Sequence, residues 1–153
     1  MRKLLVGLIG AGIGRSLTPA MQEEEARCHG LRLHYQLIDL DRARGGAAAL
    51  PSLLAAARAM GFAGLNITYP CKQAVLPLLD GLSDEARAMA AVNTVVFEHD
   101  DDGHCVRSIG CATADGGHMA VGQAVGAFEL FTGLSPEATR MEAHFRRLIA
   151  GAR

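Results

Sequence analysis

Leu4-Leu5-Val6-Gly7-Leu8-Ile9-Gly10-Ala11-Gly12-Ile13-Gly14-Arg15-Ser16-Leu17-Thr18-Pro19 decides the fold class. Leu4 to Ile9 is a short apolar run closed by glycines, which reads as a buried strand. Gly10 to Gly14 reads as a loop. Thr18-Pro19 then reads as an N-cap followed by proline at the first helical position. Glu23, Glu24 and Glu25 follow in the early turns, where the helix dipole favours acids. That helix ends near Gly30, and Leu33 to Leu40 reads as a second strand.

The pattern repeats outward. Leu50 to Met60 is helical, with Pro51 in its first turn and Gly61 as a left-handed cap. Leu50, Leu53, Leu54 and Ala57 share one face of it. Phe62 to Ile67 is a third strand. Helices follow from about Thr68 and from Ser83, an N-cap before Asp84-Glu85. Val92 to Glu98 is a fourth strand, and Asp100-Asp101-Asp102-Gly103 is a hairpin turn signal. The order β-α-β-α-β-α-α-β predicts an α/β layered sheet. After Gly116-Gly117 the pattern changes. His118 to Phe131 reads as a helix with Glu129 as its only formally charged residue, apolar nearly all round and therefore buried. Ser135-Pro136-Glu137 caps a last helix, whose Met141, Phe145, Leu148 and Ile149 form one stripe.

The chain has 153 residues, one domain's worth. Half are hydrophobic, but 26 are Ala, aromatics are 5% and Trp is absent, so the core rests on Leu, Val, Ile, Met and Ala. Charged residues at 20% and a mean hydropathy of +0.17 exclude intrinsic disorder. A net charge of −1 argues against a nucleic-acid partner. No apolar stretch approaches about 20 residues, so no membrane span is expected. Cys28, Cys71, Cys105 and Cys111 contain no Cys-x-x-Cys pair and read as free thiols of a reducing, cytoplasmic compartment. Thirteen of the fifteen basic residues are Arg; Lys3 and Lys72 are the only lysines.

Several groups carry chemistry. Gly10-x-Gly12-x-Gly14, followed by a strand ending at Asp39, imitates a dinucleotide fingerprint, but Arg15 stands near the third glycine's place and the helix begins late. Ser16 and Thr18, spaced i, i+2 at a helix entry, either present two hydroxyls to a ligand or close a turn and cap the helix. Asn66 and Thr68 leave a strand on one side, and Lys72 follows in the first turn of the next helix. The dipole disfavours positive charge there, which suits a lysine for proton transfer. Asn93 opens a strand after a helix. Gln123, a neutral amide in an apolar helix, needs a partner in the core or in a ligand. His99, Asp100, Asp101, Asp102 and His104 sit on a hairpin tip, where solvation rather than a metal is expected.

Taken together, these residues resemble one family, the shikimate and quinate dehydrogenases. Gly7-Leu8-Ile9-Gly10 through Ser16-Leu17-Thr18-Pro19-Ala20-Met21 resembles its opening strand and substrate loop. Asn66-Ile67-Thr68-x-Pro70-x-Lys72, Ala91-Val92-Asn93-Thr94 and Asp115-Gly116-Gly117-x-Met119 with Gln123 resemble its later motifs. The resemblance implies a three-layer α/β/α mixed sheet with C-terminal helices packed back on it. It implies that Ser16 and Thr18 bind a carboxylate, that Asn66, Thr68, Asn93 and Gln123 hold ring hydroxyls, and that Lys72 is the catalytic lysine. Thr at 18 leans toward quinate.

The departures are equally informative. Family members carry an NADP(H)- or NAD(H)-binding Rossmann domain between the first domain and the returning helices. Here residues 1–104 form the sheet part, 105–115 are a junction where that domain is missing, and 116–150 are the returning helices of one domain. Cys105-Val106-Arg107 stands where the family's Asn-Thr-Asp is expected, so the partner aspartate of the lysine is absent and Arg107 stands near its place. His118 replaces a small residue. The expectation is a domain that binds shikimate or quinate, with no cofactor and no metal, inactive alone in oxidising shikimate to 3-dehydroshikimate. The alternatives are a half-enzyme that obtains its nicotinamide from another chain, or a remnant that self-associates through its exposed cleft face.

Overall fold

The computed structural model describes residues 1–113 and 119–152. It is a three-layer α/β/α arrangement around one six-stranded mixed sheet. In chain order the elements are β1 (Lys3–Gly10), α1 (Thr18–Cys28), β2 (Arg32–Asp39), α2 (Leu50–Ala59), β3 (Gly64–Ile67), α3 (Cys71–Ala74), β4 (Gly81–Leu82), α4 (Asp84–Met89), β5 (Thr94–His99), β6 (Cys105–Cys111), α5 (Met119–Thr132) and α6 (Ala138–Gly151). The sheet order is β2-β1-β3-β5-β6-β4. β1 pairs in parallel with β2 and β3, β4 with β6; β5 runs antiparallel to both neighbours. The chain leaves β1 to one side and returns to its other side at β3. That reversal makes a crevice beyond the carboxyl ends of these strands, where α/β sheets bind ligands.

β1 reads as an apolar run because both its faces are covered. Val6 and Leu8 pack toward Ala127 and Phe131 of α5, whereas Ile9 joins the larger cluster of α2, α4 and β5 with Leu54, Leu65, Val95 and Phe97. A third cluster, Met21, Val121, Ala124 and Met141, joins α1, α5 and α6. At Gly64 a Cβ would meet the Phe131 ring and the Val95 carbonyl, so only glycine admits α5 this close to β3.

Most elements lie where the sequence places them, and Ser83 caps α4 by accepting the Ala86 N–H at 3.1 Å. Five readings need correction. Thr18 is not a cap: α1 begins after Leu17 without a side-chain cap, and Ser16 Oγ instead accepts the Thr18 N–H at 3.2 Å. No acid lies in the first turn of α1, so Glu23, Glu24 and Glu25 are not dipole partners. The helix expected from Thr68 starts only at Cys71, because the residue before a proline is driven out of the helical region and Thr68 N–H is held by Ile9 O. Residues 105–111, read as connecting chain, form β6 along the whole of β5. α5 is also not buried all round: Glu129 and Leu130 face outward.

The last helix is held by a contact that no local pattern announces. α6 has no side-chain cap of its own. Glu25 of α1, buried at 1% side-chain exposure, supplies one. Its Oε1 accepts the Glu137 N–H at 2.9 Å and Arg140 Nη2 at 2.7 Å, its Oε2 accepts Arg140 Nε at 2.8 Å, and His29 Nε2 lies 3.0 Å from Oε1. Burial pushes the Glu25 carboxyl up; the Arg140, Glu137 and His29 bonds together outweigh it and leave it below the ordinary carboxylate value. A depressed folded value means stability that is complete above the unfolded value, about pH 4.3, and lost as pH falls through the folded one. Arg140→Ala strands a buried charge and is expected to lower unfolding stability by about 3 kcal/mol at neutral pH. The wild type is expected to lose stability below about pH 4 more steeply than the variant. Urea titrations of both from pH 3 to 7 check this, and equal midpoints at neutral pH contradict it.

Candidate functional site

Five parts of the chain converge on one cavity of about 300 Å³ beyond the carboxyl ends of β1 and β3. The loop after β1 brings Arg15 and Ser16, and α1 opens with Thr18. β2 contributes Tyr35, β3 and its exit Asn66 and Thr68, the residue before β5 Asn93, and α5 Gln123. Ser16, Thr18, Asn66, Thr68, Asn93 and Gln123 are therefore brought together. Lys72 is not among the lining residues. It is half-buried on α3, and its carbonyl accepts the Val92 N–H at 3.0 Å, which ties its backbone one residue from Asn93. α3 is a single turn, so the dipole argument for Lys72 loses its basis. Arg107 lies on β6 within 3.8 Å of Glu98 and does not reach the cavity. Asp115, Gly116, Gly117 and His118 fall outside the described residues.

The amides of the wall are oriented by a hydrogen-bond relay. Thr113 N–H donates to Asn93 Oδ1 at 2.9 Å, which fixes that atom as oxygen. Thr94 hydroxyl also donates to Asn93 Oδ1 at 3.2 Å, so Thr94 Oγ1 is left to accept Asn66 Nδ2 at 3.1 Å. Asn66 Oδ1 is thereby turned toward Tyr35, whose hydroxyl donates to it at 2.6 Å. Each asparagine keeps one N–H beyond those used inside the relay. Burial pushes the Tyr35 phenol far up, so it stays a neutral donor. Gln123 differs: its amide makes no hydrogen bond to a described residue. The buried amide of this region is Gln22, which donates to Ala124 O at 2.8 Å and fastens α5 to α1.

Two residues of the wall escape the sequence reading. Tyr35 sits in an ordinary strand pattern, and only the register Val6↔Tyr35 with Leu8↔Asn66 shows that it reaches Asn66 across β1. Arg15 stands out in sequence only as the residue that spoils the glycine register.

The glycine loop does not suit a dinucleotide. A Cβ at Gly10 would collide with Thr68 Cγ2, so the loop is packed against the β3 exit. Gly12 N–H already donates to Asp39 Oδ1 at 3.2 Å, and Asp41 N–H to the same atom at 3.0 Å. The N–H groups and the acid that would meet a pyrophosphate and a ribose are thus used within the chain. At the hairpin tip, Asp100, Asp102 and His104 place ligand atoms within 4.8 Å of one another, all exposed. Asp100 Oδ1 accepts the Asp102 and His104 N–H groups at 3.0 and 2.9 Å, which is turn chemistry. The four cysteines are free, and among the described residues no helix is long and apolar enough to cross a membrane.

Fold and cavity together define a small-molecule substrate-binding domain of the α/β class, with a pocket of hydroxyls and amides. The sequence profile of the shikimate dehydrogenase substrate binding domain matches residues 8–95, more than half the chain, and the protein belongs to that family. A shikimate dehydrogenase (NADP(+)) of Streptomyces avermitilis is 59% identical over 102 residues, which cover 67% of this chain and 34% of that protein. A quinate/shikimate dehydrogenase (NAD(+)) of Corynebacterium efficiens is 54% identical over 99 residues, 63% of this chain and 34% of that one. The chain thus matches about a third of the length of these curated relatives. Among solved structures, a quinate dehydrogenase from Corynebacterium glutamicum in complex with NAD superposes with a TM-score of 0.84 at 25% identity, over 96% of this chain and 100% of that chain. A shikimate 5-dehydrogenase from Listeria monocytogenes in complex with shikimate and NAD gives 0.63 at 34% identity, over 78% of this chain and 37% of that chain.

The relay predicts a specific cost. Tyr35→Phe leaves Asn66 Oδ1 without its donor and is expected to lower stability by about 1 kcal/mol, near 3 °C in Tm for a chain of this size. Calorimetric melting measures it; an unchanged Tm means that the phenol does not hold Asn66.

Proposed function

We propose that this chain holds shikimate or quinate in the 300 Å³ cavity and does not transfer a hydride by itself. The observation that carries the reading is the convergence of Ser16, Thr18, Asn66, Thr68, Asn93 and Gln123 on that single cavity. Its volume lies at the lower end of small-molecule sites, about 300–1,000 Å³, which suits a six-membered ring with small substituents. Hydroxyls at one side suit the ring's carboxylate, and amides on the opposing elements suit its hydroxyl groups. Relatives named as shikimate and quinate/shikimate dehydrogenases support the ligand class.

Hydride transfer requires a nicotinamide held against the ring carbon, and such positioning supplies about 7–11 kcal/mol of the barrier. In the glycine loop the Gly12 N–H is already given to Asp39 Oδ1, which argues against such a hold there. Lys72, tied beside Asn93, is the proposed proton carrier of the reaction this domain serves in a dehydrogenase.

Titration calorimetry is expected to show heat for shikimate or quinate and none for NAD or NADP. Gln123→Ala is expected to weaken the acid about ten-fold, one ligand hydrogen bond, at unchanged Tm. A steady-state assay with either nicotinamide cofactor is expected to stay flat. Turnover by the chain alone, or heat from either dinucleotide, overturns the reading in favour of an active half-enzyme.

A further inference from the structure

The cavity is electrostatically lopsided. Among the described residues that line it, Arg15 is the only one with a formal charge. The guanidinium is not neutralised from behind: among the described residues it pairs with no carboxylate within 4.0 Å, although Asp39 and Asp41 lie in the same corner of the fold. Asp39 Oδ1 accepts the Gly12 and Asp41 N–H groups that shape the loop. Arg15 stands next to Ser16, so its charge and the Ser16 and Thr18 hydroxyls rim the same side of the cavity. Ser16 Oγ already accepts the Thr18 N–H at 3.2 Å, which leaves its O–H free to donate into the cavity. The other polar side chains that line it, among them the Asn66, Asn93 and Gln123 amides, are neutral.

We propose that Arg15 is a specificity-determining residue of this site: the cation that selects a ring ligand bearing a carboxylate over its neutral counterpart, acting beside the two hydroxyls. The inference rests on the ring-acid reading above and deepens it. A neutral pocket of amides and hydroxyls accepts polyols of either charge. One unpaired cation on its rim sets both the sign of the ligand and its orientation, carboxylate toward the α1 entrance and hydroxyls toward the amides. A guanidinium also offers two parallel N–H groups, which match the two oxygens of a carboxylate. Because Arg15 is largely exposed, its pull is screened by salt.

The test compares quinate and shikimate with their methyl esters, by titration calorimetry on the full chain, for wild type, Arg15→Gln and Arg15→Lys. The acids are expected to bind Arg15→Gln about five-fold more weakly than wild type, the scale of a solvent-facing ion pair. The esters are expected to bind both proteins equally, and Arg15→Lys is expected to recover part of the loss. Raising the salt concentration is expected to weaken acid binding to wild type and to leave the Gln variant nearly unaffected. Equal acid affinity for wild type and Arg15→Gln, or an equal loss for acid and ester, overturns the proposal while leaving the ring-acid reading in place. If wild type binds neither acid, that reading falls and the assignment of Arg15 falls with it.

Discussion

A carboxylate at 1% exposure governs how this chain closes. Glu25 sits between α1 and α6, and a buried charge is tolerated only when its partners are complete. The bidentate Arg140 and the Glu137 N–H complete it, and in doing so they cap a helix that has no cap of its own. Once α6 is fixed on α1, α5 is trapped between them and the sheet by Met21, Val121, Ala124 and Met141. Gln22 adds a hydrogen bond to the Ala124 carbonyl. Gln123, the neighbour of Ala124, is thereby presented to the cavity. The path from an ion pair to a cavity-lining amide runs through helix packing, not through the chain between them.

The sheet supplies the other half of the site. Gly64 allows Phe131 to lie against β3, which draws the C-terminal end of α5 close. Asn66 lies between Leu8 on β1 and Thr94 on β5, so one register brings the Tyr35 hydroxyl, two asparagine amides and the Thr94 hydroxyl into a single relay, which the Thr113 N–H closes. Each member fixes the donor–acceptor sense of the next, so the amides that line the cavity are already oriented. Such preorganisation reduces what a small ring would otherwise lose in ordering the site.

Local signals were legible where the chemistry is local. Hydrophobic runs marked the strands, Gly61 and Ser83 marked helix ends, and the Asp100–Gly103 turn marked the β5–β6 hairpin. Two of the errors share a cause: Thr18 and the Ser135-Pro136-Glu137 stretch have the residue types of a cap, yet neither helix has a side-chain cap of its own, and the Thr18 and Glu137 N–H groups are themselves held by Ser16 Oγ and Glu25 Oε1. β6 carries little hydrophobic signal, with Arg107, Ser108 and Gly110 among its seven residues, and its pairing with β5 and β4 makes it a strand. Tyr35 and Arg15 gave no motif at all.

The sequence by itself determined the α/β class, the order of the principal elements, and which polar side chains leave strands at their carboxyl ends, since these follow from periodicity and short-range turn chemistry. Only the tertiary structure decided that Ser16, Thr18, Asn66, Thr68, Asn93 and Gln123 line one cavity, that Lys72 stands outside it, and that Glu25 is the anchor of the last helix. Those outcomes depend on strand register and on the burial of a charge, and both join residues dozens to more than a hundred positions apart.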